Sequence, residues 1–198
     1  MALRFVRTID KSPHMFSAAD EADNDWLLYC GGWQVGRVYR PGGLKQGTFA
    51  WSLTGPHTPE ARMTMRGEAA TLQEGRQQLV GAMRDWAVWA GVRQAVGAEE
   101  PRWVLTKDYL PNHPMMTTTS HPATDWLFIS GNFVAGRVHR PAQGHDPHWR
   151  LLGTSSGECP TIQAGWADTI DSAKAALLNV WQAWLEWAEL RRSPQGVS

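Results

Sequence analysis

The stretch DWLLYCGGWQVGRVYRP, residues 25–41, returns as DWLFISGNFVAGRVHRP, residues 125–141, and this repetition decides the predicted fold. The two copies align without a gap, at a displacement of 100 residues. The following residues of the first copy are identical in the second: Asp25, Trp26, Leu27, Gly31, Gly36, Arg37, Val38, Arg40 and Pro41. So dense a match within one short window predicts a tandem duplication.

Each copy has the pattern of two strands joined by a tight turn. An apolar run precedes Gly31-Gly32 in the first copy and Gly131-Asn132 in the second. Gly and Asn tolerate the positive φ angles that two-residue hairpin turns require. The residues after the turn alternate in polarity until a proline, which has no backbone donor, ends the strand. The sequence therefore predicts a β-hairpin in each copy.

Further strands are predicted on both sides of each hairpin. The pattern R-[FW]-V-x-T-x-D occurs at residues 4–10 and again at 102–108, and its β-branched and aromatic residues are typical of a short strand. Residues 49–53 and 148–152 have the same character. Each unit is therefore expected to contain a sheet of three or four antiparallel strands.

An amphipathic helix closes each unit. Thr71 with Glu74 three residues later is a capping-box pattern, and Thr169 begins the second helix. The apolar residues that follow recur at helical spacing, which predicts a stripe that faces a sheet. The stripe consists of Leu72, Leu79, Met83, Trp86 and Ala90 in the first helix and of Ile170, Leu177, Trp181, Trp184 and Ala188 in the second. We expect the tryptophans to be core residues rather than an aromatic cage.

The predicted fold class is α+β: two tandem copies of an antiparallel three- or four-stranded sheet followed by one helix, packed as an intramolecular pseudo-dimer. The first unit spans residues 1–92, a linker spans 93–102, and the second unit spans 103–198. Units of this size bury only a modest core alone, so each is expected to pack on the other. The 12 tryptophans supply much of the apolar area for that contact.

Composition narrows the classes of partner and compartment. Lys+Arg and Asp+Glu number 19 each, so no net charge attracts nucleic acid or anionic membranes to the whole molecule. No apolar run reaches membrane-spanning length, and the charged N-terminus lacks the apolar segment of a signal peptide, so we expect a cytoplasmic protein without a membrane partner. Cys30 and Cys159 are expected to be free thiols, because Ser130 occupies the place of Cys30 in the second copy.

The candidate binding residues are the duplicated arginines and the aromatic positions beside them. They are Arg37, Tyr39, Arg40, Arg137, His139 and Arg140. Strict alternation places Trp33, Arg37 and Tyr39 on one face of the strand and Arg40 on the other. Arginines beside aromatic rings suit an anion or a single-stranded nucleic acid. The favoured alternative is that the arginines pair with Asp25 and Asp125 or with Asp10 and Asp108, carboxylates that recur together with them, or that they cap the C-terminus of a helix.

The sequence signals for a metal site or a catalytic site are weaker than those for the candidate binding residues. His145, Asp146 and His148 lie close in sequence and are the candidate metal ligands, but the first copy lacks them and their spacing matches no known ligand motif, so no metal or other cofactor is predicted. The chain has no phosphate-binding glycine loop and no His-Glu-x-x-His motif. The sequence therefore favours a protein that is not an enzyme.

The repeated pattern D-W-L…G-R-V-x-R-P, followed by a Trp-containing strand and G-x-A-x-T before a helix, resembles that of short bacterial proteins that carry one such unit. The resemblance covers residues 25–89 and 125–187 and implies no activity, cofactor or catalytic residue. The hypothesis that we favour is a non-enzymatic binding or assembly module that recognises a protein or a small ligand. The alternative is a nucleic-acid-binding protein that uses the duplicated arginines, and the third is a small-molecule enzyme.

Overall fold

Two antiparallel sheets and four helices make up the part of the chain that the computed structural model describes, residues 1–13, 23–41, 47–54, 63–92, 101–109, 122–141, 144–152 and 159–190. The first half contains β1 (Leu3–Arg7), α1 (Thr8–Lys11), β2 (Asp25–Cys30), β3 (Trp33–Tyr39), β4 (Phe49–Leu53), β5 (Arg66–Ala69) and α2 (Leu72–Trp89). The second half contains β6 (Arg102–Leu105), α3 (Thr106–Tyr109), β7 (Trp126–Ser130), β8 (Phe133–His139), β9 (His148–Leu151), β10 (Ala164–Trp166) and α4 (Ile170–Trp187). The predicted α+β class is confirmed.

Each sheet has five strands, in the spatial order in which they occur along the chain. The prediction of three or four strands was therefore wrong, because it missed β5 and β10. Both are very short: RGEA alternates charged with small residues over only four positions, and AGW contains no polar residue with which to alternate. The segments predicted as first strands also differ from expectation, since they change from strand to one helical turn at Thr8 and at Thr106. Arg102, predicted to end the linker, is the first residue of β6, and residues 93–100 lie outside the described ranges.

The predicted hairpin is present in both sheets, but it contains a bulge. Leu28 pairs with Gly36 while Tyr29 pairs with Gln34, so Val35 is an extra residue in β3. An extra residue reverses the alternation on one side of it. Trp33 therefore faces α2, where its ring meets Trp86 at 5.4 Å, whereas Arg37 lies on the opposite side of the sheet. The prediction that Trp33 and Arg37 share a face was wrong for this reason.

Threonine caps begin both long helices, as predicted. The Thr71 hydroxyl accepts a hydrogen bond from Glu74 N at 3.1 Å, and the Glu74 carboxylate accepts one from Ala70 N at 2.9 Å. In α4 the Thr169 hydroxyl accepts from Ser172 N at 3.1 Å, and Ser172 Oγ accepts from Thr169 N at 3.0 Å. These bonds satisfy amide groups that an uncapped first turn leaves unpaired.

A single buried cluster contains side chains from both sheets and both long helices. Trp33 of the first sheet meets Trp184 of α4 at 4.9 Å between ring centroids, and Trp86 of α2 meets Phe133 of the second sheet at 5.5 Å. All four rings are almost completely buried. The interpretation of the helical tryptophans as core residues agrees with this burial.

The hairpin turn of each sheet touches the C-terminal end of the long helix in the other half. Gly32 N donates to Trp187 O at 3.0 Å, and Asn132 N donates to Trp89 O at 3.1 Å. Gly31 and Gly131, which precede these donors, have φ angles of 54° and 56°. At Gly131 an added Cβ would lie 2.7 Å from Gly91 N, so only glycine fits this approach.

Two further expectations concern the cysteines and the absence of a membrane-spanning helix. Cys30 and Cys159 are free, as predicted, and burial raises the pKa of the Cys30 thiol to about 12. None of the helices within the described ranges has the length and the apolar character needed to cross a membrane.

Candidate binding surface

A buried ion pair recurs on the outer side of each sheet, which we define as the side that faces away from α2 or α4. In the first sheet Asp25 Oδ1 accepts hydrogen bonds from Arg37 Nε at 2.8 Å and from Thr8 Oγ1 at 2.7 Å. Arg37 Nη2 also donates to Asp25 Oδ2, which makes the contact bidentate. The hydrogen bond from Arg37 to Asp25 raises the pKa of the guanidinium.

The second sheet repeats this arrangement with deeper burial. Asp125 Oδ1 accepts from Arg137 Nε at 2.9 Å and from Thr106 Oγ1 at 2.8 Å, and Arg137 Nη2 donates to Asp125 Oδ2 at 2.7 Å. The side chains of Arg137 and Asp125 are 15% and 1% exposed, against 32% and 7% for Arg37 and Asp25. The salt-bridge alternative of the sequence analysis is therefore the arrangement found for Arg37 and Arg137.

The remaining candidate arginines differ in exposure between the two sheets. Arg37 lies over the ring of Tyr39 at 4.7 Å as well as against Asp25. Arg40 is exposed just after β3, whereas Arg140 is half-buried and its Nε has no hydrogen-bond partner among the described residues. The role of these residues in binding stays a prediction.

His139 belongs to an aromatic group on the outer side of the second sheet. Its ring centroid lies 5.5 Å from that of His148, and the His148 ring lies 4.8 Å from that of Trp166. Burial lowers the pKa of His139, and the positive charge of Arg137 lowers it further. Burial also lowers the pKa of His148. Both imidazoles are therefore held neutral near pH 7, and the group is uncharged.

The candidate metal residues do not form a ligand set. His145 and Asp146 are exposed in the loop before β9, while the His148 ring packs between His139 and Trp166. Within the described ranges no three His, Cys, Asp or Glu side chains come close enough together to hold a metal ion. These residues therefore give no geometric support to a metal site.

Strand β10 forms one edge of the second sheet and exposes large apolar side chains. Trp166 is 60% exposed and Ile162, just before the strand, is 76% exposed. Ile162, Ala164 and Trp166 alternate along the chain and occupy the outer side, where Trp166 pairs across the sheet with His148. We call these three residues the edge strip.

The backbone groups of the edge strip point away from the sheet. Leu151 N donates to Gln163 O at 2.8 Å, and Ala167 N donates to Pro147 O at 3.0 Å. Gln163 and Ala167 therefore form hydrogen bonds with the neighbouring strand β9 and the residue before it. In an antiparallel ladder, alternate residues turn their N–H and C=O groups to opposite neighbours. The amide groups of the edge strip therefore lie along the open edge, beside its apolar side chains.

The matching edge of the first sheet has a different composition. Leu53 N donates to Met65 O at 2.7 Å, so Thr64, Arg66 and Glu68 occupy the outward positions along β5. All three are exposed, and two of them are charged. Charged side chains on an edge strand hinder pairing with another chain. The second sheet lacks this protection.

The sequence analysis did not identify the edge strip, although the sequence carries a signal for it. Glu68 and Trp166 both stand three residues before the capping threonine of the following helix, so they occupy corresponding positions. Thr64 and Arg66 correspond in the same way to Ile162 and Ala164. A position-by-position comparison of the two matching segments shows a polar, charged segment at residues 64–68 and an apolar one at residues 162–166.

Comparison with known proteins assigns the chain to no family. No protein-family model matches the sequence, and neither the curated proteins nor the solved structures that were searched contain a match.

Proposed function

We propose that the protein is a non-enzymatic binding and assembly module, in which the edge of the second sheet recognises an extended protein segment by strand addition. In strand addition, main-chain hydrogen bonds supply affinity and alternate side chains supply specificity. The observation that carries the proposal is the edge strip, where backbone groups that have no partner strand among the described residues lie beside exposed Ile162 and Trp166.

A tandem duplication packed as an intramolecular pseudo-dimer is part of this proposal. The reciprocal contacts of Gly32 with Trp187 and of Asn132 with Trp89 support it, because each half supplies the same kind of contact to the other. The shared aromatic cluster supports it as well. In such an assembly the first half acts as the partner that completes the core, and the second half carries the binding edge.

The duplicated ionisable residues support a structural role rather than a catalytic one. Asp25 and Asp125 each form an ion pair with an arginine and accept a hydrogen bond from a threonine hydroxyl, so these contacts already occupy both carboxylates in this arrangement. The same pairing reduces the support for nucleic-acid binding, which needs arginines available to phosphate. A labelled oligonucleotide whose mobility shifts in a salt-dependent way would favour that alternative.

Strand addition can be tested with a short fluorescent peptide that has the sequence of residues 161–167, TIQAGWA. We expect the peptide to bind the full-length protein, measured by fluorescence anisotropy, because it can extend the sheet along β10. Ala164→Pro removes an outward-pointing N–H without removing a bond inside the sheet, so it should weaken binding by roughly tenfold.

The matched control is Arg66→Pro, which makes the same change on the edge strand of the first sheet. This variant should bind the peptide as the wild type does, since β5 is not the proposed edge. Absence of binding to the wild type would contradict the proposal, and so would an equal loss in both variants.

A further inference from the structure

We propose that the segment that pairs with β10 is β10 of a second copy of this chain, so that two sheets join into one continuous sheet. The inference rests on the proposed function, because it requires that β10 accepts a strand. It adds the identity of that strand.

An antiparallel pair of β10 strands is self-complementary when its twofold axis passes beside Ala164. Ala164 then faces Ala164 of the second copy, and Ile162 faces Trp166 of the second copy. These are the residues whose N–H and C=O groups point outward, so each facing pair exchanges both backbone hydrogen bonds. All of their side chains emerge on the outer side of the joined sheet.

The side chains fit this register. An aromatic residue directly opposite a β-branched residue is a favourable cross-strand pair. Pairing covers Ile162 and Trp166, which are 76% and 60% exposed in the single chain. The small side chain of Ala164 at the axis leaves room for its own copy. Residues 161–167 contain no charged group, so the segment itself brings no like charges together at the contact.

The same operation applied to β5 produces a conflict. A twofold axis beside Arg66 would place Arg66 opposite Arg66 of the second copy, and like charges directly opposite each other are destabilising. Pairing of β5 with β10 would avoid this clash, but such a contact joins different surfaces and leaves free edges, which generates open chains rather than a closed dimer. Of these three pairings, only that of β10 with β10 both avoids charged residues and forms a closed dimer.

The test uses full-length protein, with mass measured by sedimentation velocity over a series of concentrations. We expect the wild type to reach twice the monomer mass as the concentration rises. The variants carry a charge at the proposed axis, Ala164→Arg or Ala164→Glu. Both are made in an Arg150→Ser background, because Arg150 is the neighbour of Ala164 within its own sheet and Ser52 is the matching neighbour of Arg66.

For each charged variant alone, the dissociation constant of the dimer should be at least about tenfold higher than for the Arg150→Ser protein, because like charges meet at the axis. An equimolar mixture of the two variants should recover the dimer, because Arg then faces Glu. Recovery in the mixture also shows that both variants fold. Arg66→Glu, on the edge of the first sheet, should leave the mass of the wild type unchanged.

Three results would overturn the inference. The wild type could stay monomeric at every concentration, the equimolar mixture could stay monomeric, or each charged variant measured alone could still form a dimer. If the wild type is monomeric but binds the peptide of residues 161–167, strand addition stands and only the second copy is excluded. If the wild type is monomeric and does not bind the peptide, the proposed function fails together with the inference.

Discussion

The two sheets have the same strand order, but their last strands have opposite surface chemistry. Thr64, Arg66 and Glu68 line the outward positions of β5, whereas the corresponding positions along β10 are Ile162, Ala164 and Trp166. The core and the ion pairs retain equivalent residues in both halves. The difference teaches that two sheets with the same strand order can have equivalent supporting contacts while only one of them carries the charges that block edge pairing.

The largest expected effect comes from disrupting the contact between a hairpin turn and the end of the long helix in the other half. In Gly31→Ala the added Cβ would collide with Trp187 O and lie 2.8 Å from Ala188 C, at a φ of 54°. Gly131→Ala meets the end of α2 in the same way. Overpacking together with the left-handed backbone should lower the free energy of unfolding by about 4 kcal/mol in each variant, measured by urea denaturation.

Gly81→Ala is the control for these glycine variants. Gly81 lies inside α2, and an added Cβ there would meet nothing within 4 Å. This change should raise the free energy of unfolding by up to about 1 kcal/mol, because alanine favours the helix. A large loss at only one of Gly31 and Gly131 would show that the two halves do not rest on equivalent contacts.

The next largest effect is expected from the two ion pairs, whose loss should lower the free energy of unfolding by different amounts because they differ in burial. Asp125→Asn leaves Arg137 charged and only 15% exposed, whereas Asp25→Asn leaves Arg37 32% exposed and better solvated. Removing one partner of a buried pair leaves an uncompensated charge, so we expect a loss of about 3 kcal/mol for Asp125→Asn and a smaller loss for Asp25→Asn. Thermal and urea unfolding of both variants measure the difference.

Asp146→Asn is the matched exposed control and should change the free energy of unfolding by less than about 0.5 kcal/mol. Equal losses at Asp25 and Asp125 would contradict the idea that burial sets the strength of the pair.

The smallest effect concerns the ends of the long helices. Gly91 follows α2 with a φ of 62°, whereas Glu189 follows α4 with a φ of 51°. Both ends have the hydrogen bonds of a Schellman motif, from Val92 N to Ala87 O and from Leu190 N to Leu185 O. Glu189→Gly should therefore raise the free energy of unfolding by about 1 kcal/mol, because glycine adopts a positive φ without steric cost.

Glu186→Gly makes the same chemical change one turn earlier, inside α4, and should lower the free energy of unfolding by about 1 kcal/mol. Opposite signs for the two variants identify the backbone conformation as the cause. A lower free energy of unfolding in Glu189→Gly would mean that the contacts of the Glu189 side chain stabilise the fold by more than glycine gains from adopting the positive φ.

Much of the fold could be predicted from local patterns. Gly31 with Gly32 predicted the hairpin turn, and Thr71 and Thr169 predicted where the long helices begin, because turns and caps depend on a few neighbouring residues. The pairing of Arg37 with Asp25 was one of several alternatives left open. It could be anticipated because both residue types recur together, as Asp125 and Arg137.

Other features could not be predicted because they depend on the neighbouring strand. The bulge at Val35 is a property of how β3 pairs with β2, and it moved Trp33 and Arg37 to opposite sides of the sheet. Strands β5 and β10 have almost no local signal, since short edge strands gain their stability from the partner strand. The candidate surface was therefore sought among the arginines rather than at Trp166.

The sequence by itself determined the repeated units, their turns, their helix starts and the residues that form the core, because these follow from local conformational preference and from the burial of apolar side chains. Only the tertiary structure decided that each hairpin turn meets the opposite helix end and that Ile162, Ala164 and Trp166 lie along an open edge. The physical reason is that an edge exists only once strands have paired, since pairing decides which backbone groups remain without a neighbour.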